Sequence, residues 1–516
     1  MRLGIDFGTT RTVVACADRG NYPVVGFTDD AGDAIDWVPS IVAERGGELC
    51  FGLDALAVAG DPSFTVARSF KRWLGAPDAA PSKLVRVGAV TLTLGDLVTR
   101  FLGHVRDALL TRSNAARSLS RATELVAAVG TPANARAAQR LVTLDAFRRA
   151  GFAVHAMIHE PSAAGFEYTH RHRDTLSSRR DAVVVYDLGG GTFDASLVRM
   201  SGRLHEVLAT AGINRLGGDD FDAVLARLAA SRAGVDLARV DDGALARLLE
   251  QCRDLKESLH PSSRAISVDL ADALGPDASR PEVRFPVDAY YEACAPLVER
   301  TLEAIAPVMA HLDVEGAGDL AQIAGVYVVG GASALPVVAR MLRERYGRRV
   351  HRSPHPSAAI AIGLAIAADE GAGFELADRY SHVFCVFRER AAGHEVVLDP
   401  IFTKASALPA RAAAPSTFTR AYRAAHNLGH YRFFECAALD ERGTPRGDLT
   451  ALGEVLFPFD RELEGAGDLA ARAVERREVP GPHIEERYTL DEHGMVAVVI
   501  RNVDSGHERE FRLGAG

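Results

Sequence analysis

Short runs of apolar, often β-branched residues alternate with stretches of helical periodicity from Met1 to about Ala368. The apolar runs predict strands in LGIDFG near the start, ELVAAVG ending at Gly130, AVVVYDLGG ending at Gly190 and VYVVGG ending at Gly331. Apolar residues spaced three or four apart predict helices over 135–150, 219–233, 244–259, 286–312 and 335–346. Strands that alternate with helices indicate a layered α/β architecture for this part of the chain.

The pattern changes after Ala368. The stretch AADEGAGFELA, rich in small residues and glycine, predicts a linker over residues 369–379. From Tyr380 onward, short alternating segments separated by turns at DERG, DEHG and VDSG predict an antiparallel β-domain over 380–516, with one helix inserted at about 462–477. A chain of 516 residues is too long for one hydrophobic core, which agrees with an α/β domain over 1–368 joined to a separate β-domain.

The chain contains an internal repeat. Asp6-Phe7-Gly8-Thr9-Thr10 recurs as Asp187-Leu188-Gly189-Gly190-Gly191-Thr192, and each copy follows an apolar run that ends in aspartate. One such copy is more often a simple tight turn than a binding site. Two copies in matching contexts favour a site, and they predict two related lobes that face one ligand in a shared cleft.

Glycines and small hydroxyl residues let the backbone approach a phosphate closely enough for its N–H groups to bind it. Two further glycine pairs each precede a predicted helix, whose N-terminus attracts anions. The predicted phosphate-binding residues are Gly8, Thr9, Thr10, Gly189, Gly190, Gly191, Thr192, Gly217, Gly218, Gly330 and Gly331. The carboxylates of Asp6, Asp187 and Asp194 are suited to Mg²⁺, which usually keeps several of its waters. The sequence therefore predicts a site for ATP or ADP with Mg²⁺.

Composition and charge exclude several classes of protein. Hydrophobic residues make up 47% and charged residues 25%, and no apolar run is long enough to cross a bilayer. The first residues lack the features of a secretory signal, so we expect a cytoplasmic location without membrane association. Six scattered cysteines without a CxxC pair indicate reduced thiols. A net charge of −9 argues against nucleic acid as a partner.

The ordered series DFGTT, EP, DLGGGTFD, LGGDDFD and VVGG resembles the nucleotide-binding domain of the heat-shock protein 70 chaperones of DnaK type. The resemblance implies an actin-like ATPase fold, with two RNase H-like lobes around a nucleotide cleft, followed by a mainly antiparallel β-sandwich. It also implies slow Mg-ATP hydrolysis coupled to the binding and release of extended peptides or unfolded protein clients. A nucleotide exchange factor is a further partner of the kind that this family uses.

The same resemblance assigns roles to individual residues. Lys71, in the KRWLG segment, would lie against the γ-phosphate, and Glu160, in EPSAA, would lie near the metal and the hydrolytic water. The catalytic set that it implies is Lys71, Glu160, Asp187, Thr192 and Asp194, with Lys256 as a further nucleotide-binding residue. Pro132 and Arg140 resemble the family's proline switch and its arginine partner, although Pro132 is equally compatible with a simple strand terminator.

The chain departs from the family pattern at the nucleotide base. Glu257 and His260 occupy the positions of an arginine and a serine, and Ala334 replaces the second arginine that normally stacks on adenine. The loss of two guanidinium stacks predicts a base contact weakened by about 1–2 kcal/mol. Arg253 is the residue available to compensate.

Other departures concern the partners. Ala156 stands where relatives carry an arginine that contacts J-domain proteins, which argues against stimulation by a standard J-domain co-chaperone. The segment FELADRY lacks the leucines with which the family docks its linker as a strand, so we expect weaker or differently built coupling between the domains. We find no counterpart of the family's helical lid, which predicts fast peptide exchange and weak affinity.

Two further interpretations remain open. The chain could be a non-catalytic or weakly catalytic nucleotide-sensing scaffold whose β-domain docks a dedicated partner, since the base pocket and the linker both depart from the family. A sugar or acetate kinase on the same fold is disfavoured, because the chain adds a β-domain instead of a substrate-binding insertion.

Overall fold

The computed structural model describes residues 1–172, 176–177, 180–201, 204–271, 282–311 and 323–514. The first sheet consists of β1 (Arg2–Phe7), β2 (Arg11–Ala17), β3 (Val38–Pro39), β4 (Leu125–Thr131) and β5 (Phe152–His159). Its strand order is β5-β4-β1-β2-β3, with β1 antiparallel to β2 and parallel to β4. The bend between β1 and β2 therefore falls on the first copy of the repeat.

The second sheet repeats this arrangement. It consists of β6 (Ala182–Leu188), β7 (Phe193–Ser201), β8 (Leu204–Ile213), β9 (Ile323–Val329), β10 (Val350–Arg352) and β11 (Glu375–Ala377). The order is β10-β9-β6-β7-β8-β11, with β6 antiparallel to β7 and parallel to β9. The bend between β6 and β7 carries the second copy of the repeat. All four strands predicted from apolar runs are confirmed, as β1, β4, β6 and β9.

The helices are α1 (Gly52–Val58), α2 (Leu94–Thr111), α3 (Ala116–Leu119), α4 (Ala137–Arg149), α5 (Glu160–Arg171), α6 (Gly218–Ala233), α7 (Asp242–Glu257), α8 (Val287–Ala310), α9 (Pro336–Tyr346) and α10 (Ala359–Ala368). The five predicted helices are confirmed, as α4, α6, α7, α8 and α9. We call residues 1–159, which contain the first sheet and α1–α4, the first unit, and the second sheet with α6–α9 the second unit.

Two helices, α5 and α10, lie between the sheets. They pack against each other, with α10 on β1 and β2 and α5 on β6 and β7. Nearly every residue of α10, whose sequence is AIAIGLAIAA, is buried. The contact is close because Gly363 lacks a side chain: a Cβ there would lie 1.8 Å from the carbonyl oxygen of Ala163. This packing places the two repeat hairpins beside each other.

Shorter elements complete the α/β part. Additional strands are Phe27–Thr28, Ala34–Ile35, Ile41–Arg45, Glu48–Phe51, Thr65–Arg68, Leu84–Val87, Val90–Thr93, Ala265–Asp269 and Glu282–Pro286. Single 3₁₀ turns occupy Phe70–Gly75, Leu237–Arg239, Gly331–Ala334, Gly347–Arg349 and Glu370–Ala372. Two of these turns, Phe70–Gly75 and Gly331–Ala334, bring residues to the cavity described below.

The C-terminal part is a sandwich of two four-stranded antiparallel sheets. Its strands are β12 (Val383–Arg390), β13 (Glu395–Phe402), β14 (Ser416–Arg423), β15 (Leu428–Cys436), β16 (Thr450–Pro458), β17 (His483–Leu490), β18 (Val496–Asn502) and β19 (Glu508–Arg512). One sheet has the order β13-β12-β15-β16 and the other β14-β17-β18-β19. A short hairpin, Ala438–Leu439 with Pro445–Arg446, and 3₁₀ turns at Ala391–Gly393 and Arg461–Leu463 are peripheral. The alternating apolar pattern predicts this antiparallel build correctly.

A polar cluster lies inside the sandwich, between its two sheets. The carboxylate of Glu486, on β17, is fully buried and accepts two hydrogen bonds from the guanidinium of Arg388 at 2.6 and 2.5 Å. The hydroxyls of Tyr422 and Tyr488 also donate to Glu486, and Tyr422 is hydrogen-bonded to Tyr431 at 2.6 Å. A buried charge needs partners of this kind to offset its desolvation. The centre of this domain is therefore polar as well as apolar.

The prediction of a helix over 462–477 is wrong. After the 3₁₀ turn, the chain crosses Gly465 and Gly467, residues that disfavour a continued helix. Its later part is held instead by main-chain hydrogen bonds to the segment before β15, from the N–H of Arg477 to Ala425 at 2.8 Å and from the N–H of Asn427 to Glu475 at 3.0 Å. Tertiary pairing therefore replaces the local helical preference.

The predicted linker contains strand β11, which pairs parallel with β8 although the stretch lacks the leucine run. Main-chain pairing requires no particular side chain, so the absence of leucines does not prevent it. All six cysteines are unpaired, and all except Cys50 are buried, as expected for reduced thiols. Within the described ranges, no helix combines the length and apolar character required to span a membrane.

Candidate functional site

A cavity of about 280 Å³ lies where the two repeat hairpins meet. Fourteen of the predicted site residues line it: Asp6, Gly8, Thr9, Thr10, Lys71, Glu160, Asp187, Gly189, Gly190, Thr192, Gly218, Lys256, Gly330 and Gly331. They come from both hairpins, from the starts of α5 and α6, from α7 and from the turn after β9. The repeat thus brings together residues more than 300 positions apart in the chain.

Two predicted glycines support the cavity wall without lining it. A Cβ at Gly217 would lie 2.5 Å from the backbone nitrogen of Gly191, and one at Gly191 would lie 2.7 Å from Thr9. The N–H of Gly218 donates to the carbonyl of Gly189 at 2.9 Å, which joins the start of α6 to the second hairpin. Gly217 needs glycine because its backbone approaches that of the second hairpin so closely, and Gly191 because the Thr9 side chain lies against it.

The 3₁₀ turn after Ser69 places Lys71 deep in the cleft. Its Nζ donates to Oε1 of Glu160, the first residue of α5, at 3.0 Å, and both side chains are almost fully buried. The ammonium also lies 5.4 Å from the centre of the Phe7 ring. Burial alone would lower the pKa of Lys71, but the carboxylates of Glu160 and Asp6 raise it above its ordinary value. Lys71 is therefore a cation at neutral pH.

Three aspartates surround this pair. Burial, reinforced by the charge of Glu160, raises the pKa of Asp6 to about 7, and the same two causes raise the pKa of Asp194 to about 7. The pKa of Asp187 lies well above its ordinary value for these reasons and because Asp194 and Asp6 are near. Three carboxyl groups and Glu160 beside one lysine leave more acidic than basic groups at this buried site, and burial resists their ionisation.

This excess of acidic groups suits a cation, which would favour their ionised forms. Oδ1 of Asp187 is buried and has no hydrogen-bond partner, whereas Asp194, opposite it on β7, accepts from the N–H of Ala133 at 3.0 Å. Among the residues that the structure describes, no three His, Cys, Asp or Glu side chains converge closely enough to ligate one metal ion. Hard oxygen ligands that act largely through water fit Mg²⁺, which dehydrates reluctantly.

The second unit forms the far end of the cavity. Lys256 is held at 2.6 Å by Asp222 and donates to the carbonyl of Gly218 at 3.0 Å. Glu257 and Ala334 also line the cavity, so the two missing arginines are indeed absent from its wall. His260 lies outside it, on an exposed turn after α7.

Arg253 lines the same end but is already engaged. Its guanidinium forms ion pairs with Asp219 at 3.2 Å, with Glu250 at 3.0 Å and with Asp222 at 3.5 Å. Burial alone would lower the pKa of Arg253, but these carboxylates raise it. Three acidic partners leave this arginine little freedom to replace the missing stacking groups.

Two arginines beside the motifs were missed from the sequence, and one of them lines the cavity. Arg72, next to Lys71, forms ion pairs with Asp220 at 2.8 Å and Asp219 at 3.4 Å, and thereby ties the first unit to the start of α6. Arg11, directly after the first repeat, lines the cavity itself. Their positions beside the motifs are the only sequence signal, because their partners lie far away in the chain.

The predicted switch residues lie apart from the main cavity. Pro132 borders a small void of about 10 Å³ together with Thr9 and Lys71. Arg140 is buried farther along α4, where it is hydrogen-bonded to Nε2 of His159 at 2.9 Å and donates through Nε to the carbonyl of His493 in the sandwich at 2.9 Å. The two residues thus border different neighbours, one the cavity wall and the other the β-domain.

The chain is similar in sequence to known proteins. The family described as Hsp70 protein matches residues 2–378. Curated relatives described as "Chaperone protein HscA homolog" are 35% identical over 385 residues in Burkholderia ambifaria (strain MC40-6) and 35% identical over 386 residues in Burkholderia multivorans (strain ATCC 17616 / 249). Each alignment covers 72% of this chain and 59% of the relative, so the chain spans less than two thirds of those proteins. On the extent of the family match, this chain belongs to the Hsp70 family.

Proposed function

We propose that this protein hydrolyses ATP slowly with Mg²⁺ and couples the nucleotide state to protein binding by its β-domain. The observation that carries the proposal is the buried pair of Lys71 and Glu160, set among acidic groups in a cavity walled by two glycine-rich hairpins. Hydrolysis of a phosphoanhydride is catalysed mainly by positioning and by electrostatic stabilisation, and this cavity has groups for both. ADP is the product that the same cavity would hold.

Individual roles follow from charge and position. Backbone N–H groups of the hairpins at Gly8–Thr10 and Gly189–Thr192 would bind the phosphates, and the turn at Gly330–Gly331 would border the nucleoside. Lys71 would stabilise charge on the γ-phosphate, and Glu160 would orient the attacking water. Asp6, Asp187 and Asp194 would hold Mg²⁺ through water, and the bound cation would offset their charge together with that of the phosphates.

We propose that the two units are the RNase H-like lobes of an actin-like fold, with domain limits at 1–368, 369–379 and 380–516. The matching hairpins of the two sheets support this assignment. Membership of the Hsp70 family also makes a nucleotide exchange factor part of the proposal. Ala156 stays an argument against a standard J-domain co-chaperone, and a cytoplasmic location remains part of the proposal.

A continuous set of contacts supports coupling between the cavity and the β-domain. His159 directly precedes Glu160, and its Nδ1 is hydrogen-bonded to Oδ1 of the linker residue Asp378 at 3.0 Å, while Nε2 is hydrogen-bonded to Arg140. Arg140 in turn donates to the carbonyl of His493 in the sandwich. A movement of Glu160 on ATP hydrolysis would therefore act on groups that hold the linker and the sandwich. Arg140 keeps its proposed switch role on this basis, whereas the role proposed for Pro132 rests on the family resemblance alone.

The β-domain has two candidate uses. Our leading proposal is that it binds an extended peptide or an unfolded client through main-chain hydrogen bonds at a strand edge. The buried cluster around Glu486 favours a second candidate, a scaffold that docks one dedicated partner, because a polar interior is poorly suited to an apolar peptide side chain. The scaffold predicts nucleotide binding with little or no turnover.

Single-turnover hydrolysis of radiolabelled ATP with Mg²⁺, with and without an unfolded peptide, tests the proposal. We expect slow turnover in the wild type and a loss of about 100-fold or more in Lys71→Ala. Lys83→Ala is the matched control, because Lys83 lies outside the cavity and pairs only with the exposed Asp78. Circular dichroism and thermal unfolding would show whether each variant is folded.

The outcomes separate the two candidates. Turnover that depends on Lys71 and responds to peptide supports the coupled ATPase. Tight ATP binding without turnover in the wild type supports the scaffold. Equal turnover in wild type and a folded Lys71→Ala variant would refute the catalytic assignment.

A further inference from the structure

One ion pair crosses the cavity between the two units. Arg11, the first residue of β2, donates through Nη2 to Oε2 of Glu257, the last residue of α7. The guanidinium of Arg11 also lies over the ring of Trp37, with its carbon 4.6 Å from the ring centre. Two independent contacts therefore fix the position of this planar cation.

The location of this ion pair distinguishes it from other contacts between the units. Arg68 pairs with Glu250 at 3.0 Å and also links the first unit to α7, but neither side chain lines the cavity. Both Arg11 and Glu257 do line it, at the end where Lys256 lies. With side chains 31% and 42% exposed, respectively, they are open to a ligand that enters from solvent.

Three other positions in the cavity wall supply no free guanidinium that could stack on a base. Residue 257 is an acid and residue 334 an alanine, and Arg253 is held by three carboxylates. A planar guanidinium stacks on aromatic faces far better than other polar groups do. Arg11, by contrast, carries a guanidinium that lies over the ring of Trp37 on one face and pairs with one carboxylate, Glu257.

We propose that Arg11, positioned by Glu257 and Trp37, contacts the base of the bound nucleotide. In the family, the second unit supplies the arginines that stack on adenine. Here the first unit supplies the cation, Arg11, and Glu257 of the second unit holds it in place. Base binding consequently requires the two units to be close together, because the ion pair spans them. This inference rests on the proposed nucleotide-binding function and refines it by naming the residue that recognises the base.

Comparing ATP with a ligand that has phosphates but no base provides the test. Isothermal titration would measure the dissociation constants of Mg-ATP and of Mg-tripolyphosphate for the wild type and for Arg11→Lys, which keeps the charge but loses the plane. We expect Arg11→Lys to weaken ATP binding by about 3- to 30-fold while tripolyphosphate binding changes little. Glu257→Gln should shift the ratio of the two constants in the same direction, because Arg11 loses its charged partner.

Arg68→Lys is the matched control for a contact between the units that has no part in the cavity. It should leave the ratio of the two dissociation constants unchanged, whatever it does to either constant alone. If the wild type binds ATP but Arg11→Lys keeps the wild-type ratio, the inference about Arg11 is wrong and the proposed function stands. If the wild type prefers ATP no more than tripolyphosphate, the inference also fails. If the wild type binds neither ligand, the proposed function itself fails.

Discussion

A buried carboxylate joins the β-domain to the α/β part, and its neutralisation should stabilise the protein at alkaline pH. Both oxygens of Glu435, on β15, accept from the N–H of Ala137 at 3.1 Å, at the first residue of α4. The side chain is only 1% exposed. Burial raises the pKa of Glu435 to about 7, although the N–H of Ala137 and the guanidinium of Arg136 act in the opposite direction.

The sign of the effect follows from proton binding. The folded protein holds the proton on Glu435 up to about pH 7, whereas the unfolded chain releases it near pH 4.5. The stability that this group contributes is therefore complete below about pH 4.5 and is lost as the pH rises through 7. A change from 4.5 to about 7 corresponds to about 3 kcal/mol in the free energy of unfolding.

Glu435→Gln should consequently be nearly neutral at pH 5 and stabilising by up to about 3 kcal/mol at pH 8. For a domain of this size, that difference would raise the melting temperature by about 5–10 °C. Thermal unfolding followed by circular dichroism at both pH values measures it. Glu454→Gln is the control, because the side chain of Glu454 is 65% exposed and pairs only with His430. A stability change in Glu435→Gln that is equal at the two pH values, or destabilising at pH 8, would refute the reasoning.

Two further predictions concern the cavity and the sandwich. Gly330→Ala should abolish most nucleotide binding in a fluorescent-ATP titration, because Gly330 has a φ of +85° and its Cβ would lie 2.4 Å from Oδ1 of Asp187. The control is Gly103→Ala, on α2 and outside the cavity, which should bind nearly as well as the wild type because its added Cβ meets nothing within 4 Å. Arg388→Met should lower the free energy of unfolding by about 2–4 kcal/mol in a denaturant titration, because it leaves the buried charge of Glu486 without its cation. An unchanged denaturation midpoint would show that the tyrosine hydroxyls alone satisfy this carboxylate.

Local patterns were sufficient for most of the fold. The strands that lead into the two repeat hairpins and the five predicted helices of the α/β part depend on periodicity within short stretches of sequence, which the chain carries on its own. The same holds for most of the cavity, since the hairpins contain their own glycines and aspartates. The helix expected at 462–477 failed because its residues pair with a segment before β15, and no local signal reports that competition.

The sequence by itself determined the two glycine-rich hairpins that wall the cavity, because an apolar strand followed by a glycine-rich turn is a local pattern. Only the tertiary structure decided the contacts that join distant parts of the chain. His159 meets Asp378 across 219 positions, Ala137 meets Glu435 across 298, and Arg11 meets Glu257 from the opposite unit. Such pairs form when packed elements bring polar groups from distant parts of the chain together, and residue spacing contains no record of that approach.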